Sequence, residues 1–247
     1  MAGVGIRRRR WLPSQQKVNW ANPLTDGLIS LVPGNRNPLV DLVTGQTFTM
    51  QGSPEFKAGR FGVGIDDTAD TKRGGYYQLT TDSPLRAQPP LTIACAGTQF
   101  VTPGNGAAYF GVRYDNADGF PYVCYILAAD TTAPGYYRFA GNTGPGGFHS
   151  VAGSVITYSS GNMETQVGIR DGATIEIWVN GYLENTANVT FTNISYGATA
   201  ELLFCSDPDV TRSSGSSLAL GAIWNRRLTN QEIAEFHTDP MQLLRVH

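Results

Sequence analysis

Between residues 27 and 225 short apolar, β-rich runs alternate with turn-forming residues. The runs 28–32, 46–50, 76–80, 91–99, 107–114, 121–129, 136–140, 154–158, 165–170, 174–180, 189–192, 201–205 and 217–224 have strand length and strand composition. Between them stand Pro33-Gly34, Gly74-Gly75, Pro103-Gly104, Pro134-Gly135, Gly144-Pro145-Gly146-Gly147 and Asn180-Gly181. Many short strands with turns every ~8–12 residues predict an all-β sandwich or barrel. No polar linker divides the set and no fixed-period repeat runs through it. One domain over 25–247 is expected, preceded by a distinct segment over 1–24.

Two local elements are specified closely. Ile175, Ile177 and Val179 alternate with Glu176 and Trp178, and Asn180-Gly181 follows. That pair tolerates the two positive φ angles of a type I′ turn, whose twist suits a hairpin. Further on, Thr229-Asn230-Gln231-Glu232 reads as a capping box that starts a short helix over about 229–238. Leu228 and Ile233 take the staple positions, Leu228, Ile233 and Phe236 face the sheet, and Glu232 and Glu235 face water. Asp239-Pro240 ends the helix, because the residue before a proline avoids the α conformation.

Composition narrows the class. Hydrophobic residues are 41%, enough for a core, and charged residues only 15%, which excludes a disordered chain and a long-helix bundle. The longest apolar stretches are strand-sized, so no membrane-spanning helix is expected. Cys95, Cys124 and Cys205 are odd in number and sit among apolar residues, which favours buried thiols over a disulfide framework.

The charge is uneven. Arg7, Arg8, Arg9 and Arg10 are consecutive, no acid precedes Asp26, and the whole chain is at −2. A secretion signal would need an apolar stretch after the arginines, and Trp11-Leu12-Pro13-Ser14-Gln15-Gln16-Lys17 is not one. The run is either a solvated tail or an arm that docks on an acidic neighbour or on nucleic acid. Trp11 and Trp20 favour docking, since interfaces bury tryptophan as an anchor. The acidic body, without a basic stripe, argues against nucleic acid as the partner.

The strand around Ile175–Gly181 and the closing Leu218–Phe236, with its Gly221, Trp224-Asn225-Arg226-Arg227-Leu228-Thr229 and Glu232-Ile233, resemble the concanavalin A-like lectin/glucanase superfamily. Within it they resemble the laminin-G-like jelly-roll domains, and Gly27–Val32 and Asp41–Gly45 fit the first strands of that family. The likeness spans about 25–240 and implies a two-sheet antiparallel jelly roll. The Arg-rich start, the segment Val18–Leu28 and the end His237–Leu244 are similar to virion proteins of tailed bacteriophages that carry one such domain. That likeness implies a non-enzymatic structural protein on the virion exterior, assembled in the host cytoplasm without a signal peptide. It would be attached to capsid or tail subunits through Arg7, Arg8, Arg9, Arg10, Trp11 and Trp20, as a homo-oligomer such as a trimer. The alternative is a lectin-like module that binds host-surface glycans.

The superfamily also includes glycoside hydrolases, which pair carboxyls ~5–5.5 Å apart in retaining enzymes. Glu164, Glu176, Glu184 and Glu201 are isolated from other acids, and no Gly-x-Ser-x-Gly elbow or zinc spacing occurs. No enzymatic activity is expected. A structural calcium ion is implied by the resemblance, with Asp115, Asn116 and Asp118 as candidate ligands beside Asp66-Asp67 with Asp70 and Asp207 with Asp209. Asx-turn chemistry accounts for the same residues without an ion. For a glycan the candidates are the adjacent pairs Tyr76-Tyr77 and Tyr136-Tyr137, of which one member each must face outward in a strand.

Overall fold

The computed structural model describes residues 16–53, 55–66, 74–99, 107–114, 122–130, 136–142, 148–152, 164–189, 193–194, 196, 199–205 and 216–246. Its strands are β1 (Gln16–Val18), β2 (Leu28–Pro33), β3 (Thr49–Met50), β4 (Glu55–Gly59), β5 (Gly62–Asp66), β6 (Gly75–Gln78), β7 (Leu91–Gln99), β8 (Ala107–Tyr114) and β9 (Tyr122–Asp130). They continue with β10 (Tyr136–Asn142), β11 (Phe148–Ala152), β12 (Thr165–Asp171), β13 (Thr174–Val179), β14 (Tyr182–Asn188), β15 (Ala200–Phe204), β16 (Ser216–Trp224) and β17 (Leu244–Val246). One α-helix, α1 (Asn230–Thr238), follows β16.

Apart from a two-stranded sheet of β1 and β17, the strands form a jelly-roll sandwich of two antiparallel sheets. A seven-stranded sheet runs β11-β10-β9-β8-β15-β6-β3. An eight-stranded sheet runs β14-β13-β12-β7-β16-β5-β4, with β2 also paired to β16. Alternation decides which side chains fill the space between them. Leu91, Ile93 and Cys95 from β7 and Ile175, Ile177 and Val179 from β13 point inward, against Phe110, Val112, Leu127, Leu202 and Phe204 of the facing sheet. Gly168 permits this approach, because a Cβ there would sit 2.3 Å from the Phe139 ring.

The opposite face of the eight-stranded sheet is buried as well. Ala94, Ala96, Val167, Ile169, Trp178, Leu220, Ala222 and Trp224 form a second core beneath Leu24, Leu28, Ile233, Phe236 and Leu243. Trp224 and Phe236 meet edge to face at 5.9 Å, and the Trp224 indole N–H donates to the Leu24 carbonyl at 2.8 Å. The helix therefore meets the sheet through Ile233 and Phe236, with Leu228 before it, as predicted. Its capping box is present, with Glu232 N–H donating to Thr229 Oγ1 at 3.2 Å and Thr229 N–H donating to Glu232 Oε2 at 2.7 Å. Asn180 and Gly181 have φ of 52° and 82°, as the two-residue turn between β13 and β14 requires.

Cys95, Cys124 and Cys205 are buried as thiols rather than joined in disulfides, and burial pushes the Cys95 thiol up to about 12.

Several expectations change. The boundary at residue 24 moves toward the N-terminus. β1 pairs with β17, Val18 and Leu24 are buried in the second core, and so 16–24 belong to the folded body. β4 and β5, absent from the predicted strands, form a hairpin at one edge of the eight-stranded sheet. The run 46–50 contributes only Thr49–Met50, because 41–46 turn around Asp41. The runs 154–158 and 190–192 lie outside the described residues.

Candidate functional site

The carboxylate of Asp41 organises a dense polar arrangement. Its residue is 0% exposed. Oδ1 accepts from the backbone N–H of Leu31 at 3.1 Å, Val43 at 3.0 Å and Thr44 at 3.4 Å. Oδ2 accepts from the Ser30 hydroxyl at 2.8 Å and the Tyr77 hydroxyl at 3.0 Å. Since Tyr77 gives its proton to Asp41, its 3.4 Å contact with Thr44 Oγ1 requires the threonine to be the donor. Burial first, and the neighbouring carboxylate second, push the Tyr77 phenol far above the ordinary tyrosine range. With donors on every side, Asp41 holds its turn and the Tyr77 ring without inviting a cation.

Above this platform lies a cleft of about 320 Å³, between the turn that follows Asp41 and the segment after β6. Tyr77 forms part of its floor, and its walls carry Thr44, Gln46, Gln78, Thr80, Asp82 and Ser83. Gln46, Gln78 and Asp82 are exposed, and no lysine, arginine or histidine is among the described lining residues. A hydrogen bond from Thr80, then one from its own backbone, holds the Asp82 carboxyl below the usual range. The cleft thus offers amides, hydroxyls and one carboxylate on a pinned base. Such groups suit a polyhydroxylated ligand, and the volume is at the small end of ligand pockets.

A second, shallower hollow of about 440 Å³ lies beside Trp20. Trp20 is 56% exposed, yet the loop that carries it is fixed. Asn19 donates to the Leu243 carbonyl from its backbone at 2.8 Å and to the Gln242 carbonyl from its amide at 3.1 Å. Asn22 donates to Gln242 Oε1 at 2.9 Å. An indole presented to solvent on a fixed loop has the character of a contact anchor.

The glycan candidates separate. Tyr77 is 7% exposed and meets Phe48 edge to face at 4.9 Å, so it supplies a floor and not the exposed stacking plane expected of it. Tyr76 points to the other side of its sheet and packs, half-buried, on Ile126 and Leu203. The backbones of Tyr136 and Tyr137 lie in β10 opposite Asp130 and Ala129. Arg7, Arg8, Arg9, Arg10 and Trp11 fall outside the described residues, as do Asp115, Asn116 and Asp118 and the other loop aspartates except Asp66. Sequence reasoning missed Asp41, Gln46, Gln78 and Asp82. Asp41-Leu42-Val43-Thr44-Gly45 carried a usable signal, since an aspartate followed by Thr and a glycine at φ 75° marks an Asx turn.

Groups with a catalytic look are tied elsewhere. Glu176 accepts from the Trp178 indole at 2.8 Å and from Arg227 Nη2 at 2.7 and 3.0 Å. His237 Nδ1 lies 2.9 Å from Thr165 Oγ1, and its Nε2 lies 4.0 Å from Glu164, which Arg60 also contacts. Burial, then Arg60, lowers the His237 pKa. Thr165 is 1% exposed and cannot meet a substrate, so this trio braces the β13–β14 turn against α1. Among the described residues no group of three His, Cys, Asp or Glu could hold a metal, and no helix is long and apolar enough to cross a membrane.

No protein-family model and no curated protein sequence matches the chain. Solved structures do. The binding domain of Paraclostridial Mosquitocidal Protein 1 is 12% identical, with a TM-score of 0.63, over 87% of this chain and 52% of that one. A botulinum neurotoxin type C structure, whose cell entry depends on interaction with two ganglioside molecules, is 12% identical, with a TM-score of 0.58, over 87% and 51%. Trypanosoma rangeli sialidase is 13% identical, with a TM-score of 0.56, over 86% and 33%. The chain spans about half the length of the toxin structures and a third of the sialidase. At these identities the likeness shows the fold alone, an antiparallel β-sandwich that is similar to binding domains and to part of an enzyme.

Proposed function

We propose that the chain is a contact module that holds a saccharide in the cleft above Tyr77 and has no hydrolytic activity of its own. The carrying observation is the pinned polar cleft, in which Asp41 fixes the floor while Gln46, Gln78 and Asp82 remain exposed around it. Preorganisation matters because sugar hydroxyls exchange water for protein partners at little net gain unless those partners already stand in place. The sandwich fold shared with toxin binding domains supports the reading. Hydrolysis would need paired carboxyls or an activated nucleophile, and Glu176 and His237 are both engaged in packing contacts. A glycan array probed with the full chain tests the proposal. Selective binding that Gln78→Ala and Asp82→Asn weaken supports it. Release of new reducing ends from a bound glycan, surviving repurification of the protein, contradicts it.

The N-terminal segment favours a second, compatible role. Arg7–Arg10 and Trp11 precede β1 by a few residues, and Trp20 stands exposed on the adjoining fixed loop. In this reading the N-terminal segment and Trp20 serve attachment to capsid or tail subunits on the exterior of a tailed-phage virion, with the sandwich as a closed homo-oligomer such as a trimer. Removing residues 1–15 and replacing Trp20 by Ala should abolish incorporation into particles while the protein stays folded. Unchanged incorporation would refute the attachment role.

A further inference from the structure

We propose that the cleft above Tyr77 selects an uncharged saccharide with a free vicinal diol and rejects sialylated or other anionic sugars. This rests on the saccharide reading of the cleft and adds the class of ligand.

The charges set the choice. Asp82 is the one ionisable side chain at the rim among the described lining residues, and beneath the floor lies the buried carboxylate of Asp41. The described lining holds no basic group to receive a third negative charge. The guanidinium nearest in sequence, Arg86, is already engaged within the protein, with its Nε donating to the Thr80 carbonyl at 2.9 Å and its Cζ 5.9 Å from the centre of the Tyr196 ring. An anionic sugar would therefore lose hydration and meet like charge, which is how sites discriminate against close analogues.

The neutral groups set the rest. Gln46 and Gln78 line the cleft, and a carboxamide has both donors and an acceptor to match hydroxyls that do both. Asp82, acceptor-only and oriented by the Thr80 hydroxyl, has two oxygens to receive two adjacent hydroxyls. The floor is anchored through Asp41, which accepts from the backbone N–H groups of Leu31 and Val43 and from the Tyr77 hydroxyl.

The test uses an array of neutral glycans, each printed beside its sialylated counterpart, with the full chain and three variants. Neutral members should bind at least about tenfold better than their sialylated partners. Gln46→Ala and Gln78→Ala should each weaken neutral binding about three- to tenfold, roughly one hydrogen bond. Asp82→Asn should weaken it similarly and narrow the gap between neutral and sialylated members. All three positions are exposed, so unchanged melting temperatures separate lost contact from lost fold. Equal or better binding of sialylated members overturns the charge selection while leaving saccharide binding in place. Neutral binding untouched by all three variants moves the site elsewhere and overturns the assignment of the cleft. Silence across the array overturns both the selection and the saccharide reading beneath it.

Discussion

Tyr77 and Asp41, 36 positions apart, meet at 3.0 Å inside the fold, and the phenol gives its proton to a carboxylate with no exposed surface. This couples a strand of the seven-stranded sheet to the turn that borders β2, and so ties the candidate cleft to the core. Tyr77→Phe keeps the ring against Phe48 and removes one donor to a charged acceptor. It should lower stability by about 1.5–3 kcal/mol, measured as a shift in denaturant midpoint. Asp41→Ala should do more harm, because the Ser30 and Tyr77 hydroxyls and three backbone N–H groups lose their acceptor together. An Asp41→Ala midpoint equal to that of Tyr77→Phe would show that the turn is held by other means.

The cap and the buried ring of α1 make separable contributions. Thr229→Ala removes the side-chain acceptor for the Glu232 N–H and should destabilise by about 1 kcal/mol. Phe236→Ala empties a fully buried site beside Trp224 and should destabilise by ~3–5 kcal/mol. An unchanged midpoint in Phe236→Ala would mean that the helix adds nothing to the sheet it covers.

What was legible in the sequence was what neighbours decide. The Asn180-Gly181 turn, the Thr229–Glu232 box and the inward Ile175, Ile177 and Val179 depend on residues within one or two turns, and all stand where the pattern put them. What stayed hidden depends on distant partners. β1 carries only three residues and exists because Val18 finds Leu244 across the chain. β4 reads Glu-Phe-Lys-Ala-Gly, which lacks β-branched residues, and it is held by pairing with β5 rather than by propensity. The cleft was hidden for the same reason. Tyr77 looked like half of an aromatic pair, while its role is set by Asp41 beneath it and by Gln46 and Asp82 around it, residues whose types are common in any loop.

Acid should probe the corner where β16 meets the helix. Arg226 donates to Glu232 through Nη1 at 2.9 Å and Nη2 at 2.6 Å, and mainly for that reason the Glu232 carboxyl falls from its ordinary 4.5 to about 2. Its folded pKa lies below the unfolded one, so the stabilisation is complete above pH 4.5 and disappears as pH falls through about 2. Glu232→Gln should therefore be less stable than the parent at pH 7 and approach it at pH 2. Chemical denaturation at both values measures this, and an equal deficit at the two pH values would assign the loss to the cap bond instead.

Truncation from the N-terminus gives the sharpest test of where the folded body begins. Removing residues 1–15 takes away the arginine run and stops before β1, and stability should remain within ~0.5 kcal/mol of the parent. Removing residues 1–20 is different in kind. It strips β1 from β17, leaves the Leu243 carbonyl without the Asn19 N–H, and withdraws Val18, 3% exposed, from contact with the second core. Burial of a valine alone is worth about 1.5–3 kcal/mol, and the newly exposed strand β17 would be an unpaired edge. The longer deletion should thus lower the denaturant midpoint by the equivalent of at least ~2 kcal/mol and promote self-association. Equal midpoints for the two truncations would return residues 16–20 to the status of a dispensable arm and detach Trp20 from the rigid surface on which the attachment role depends.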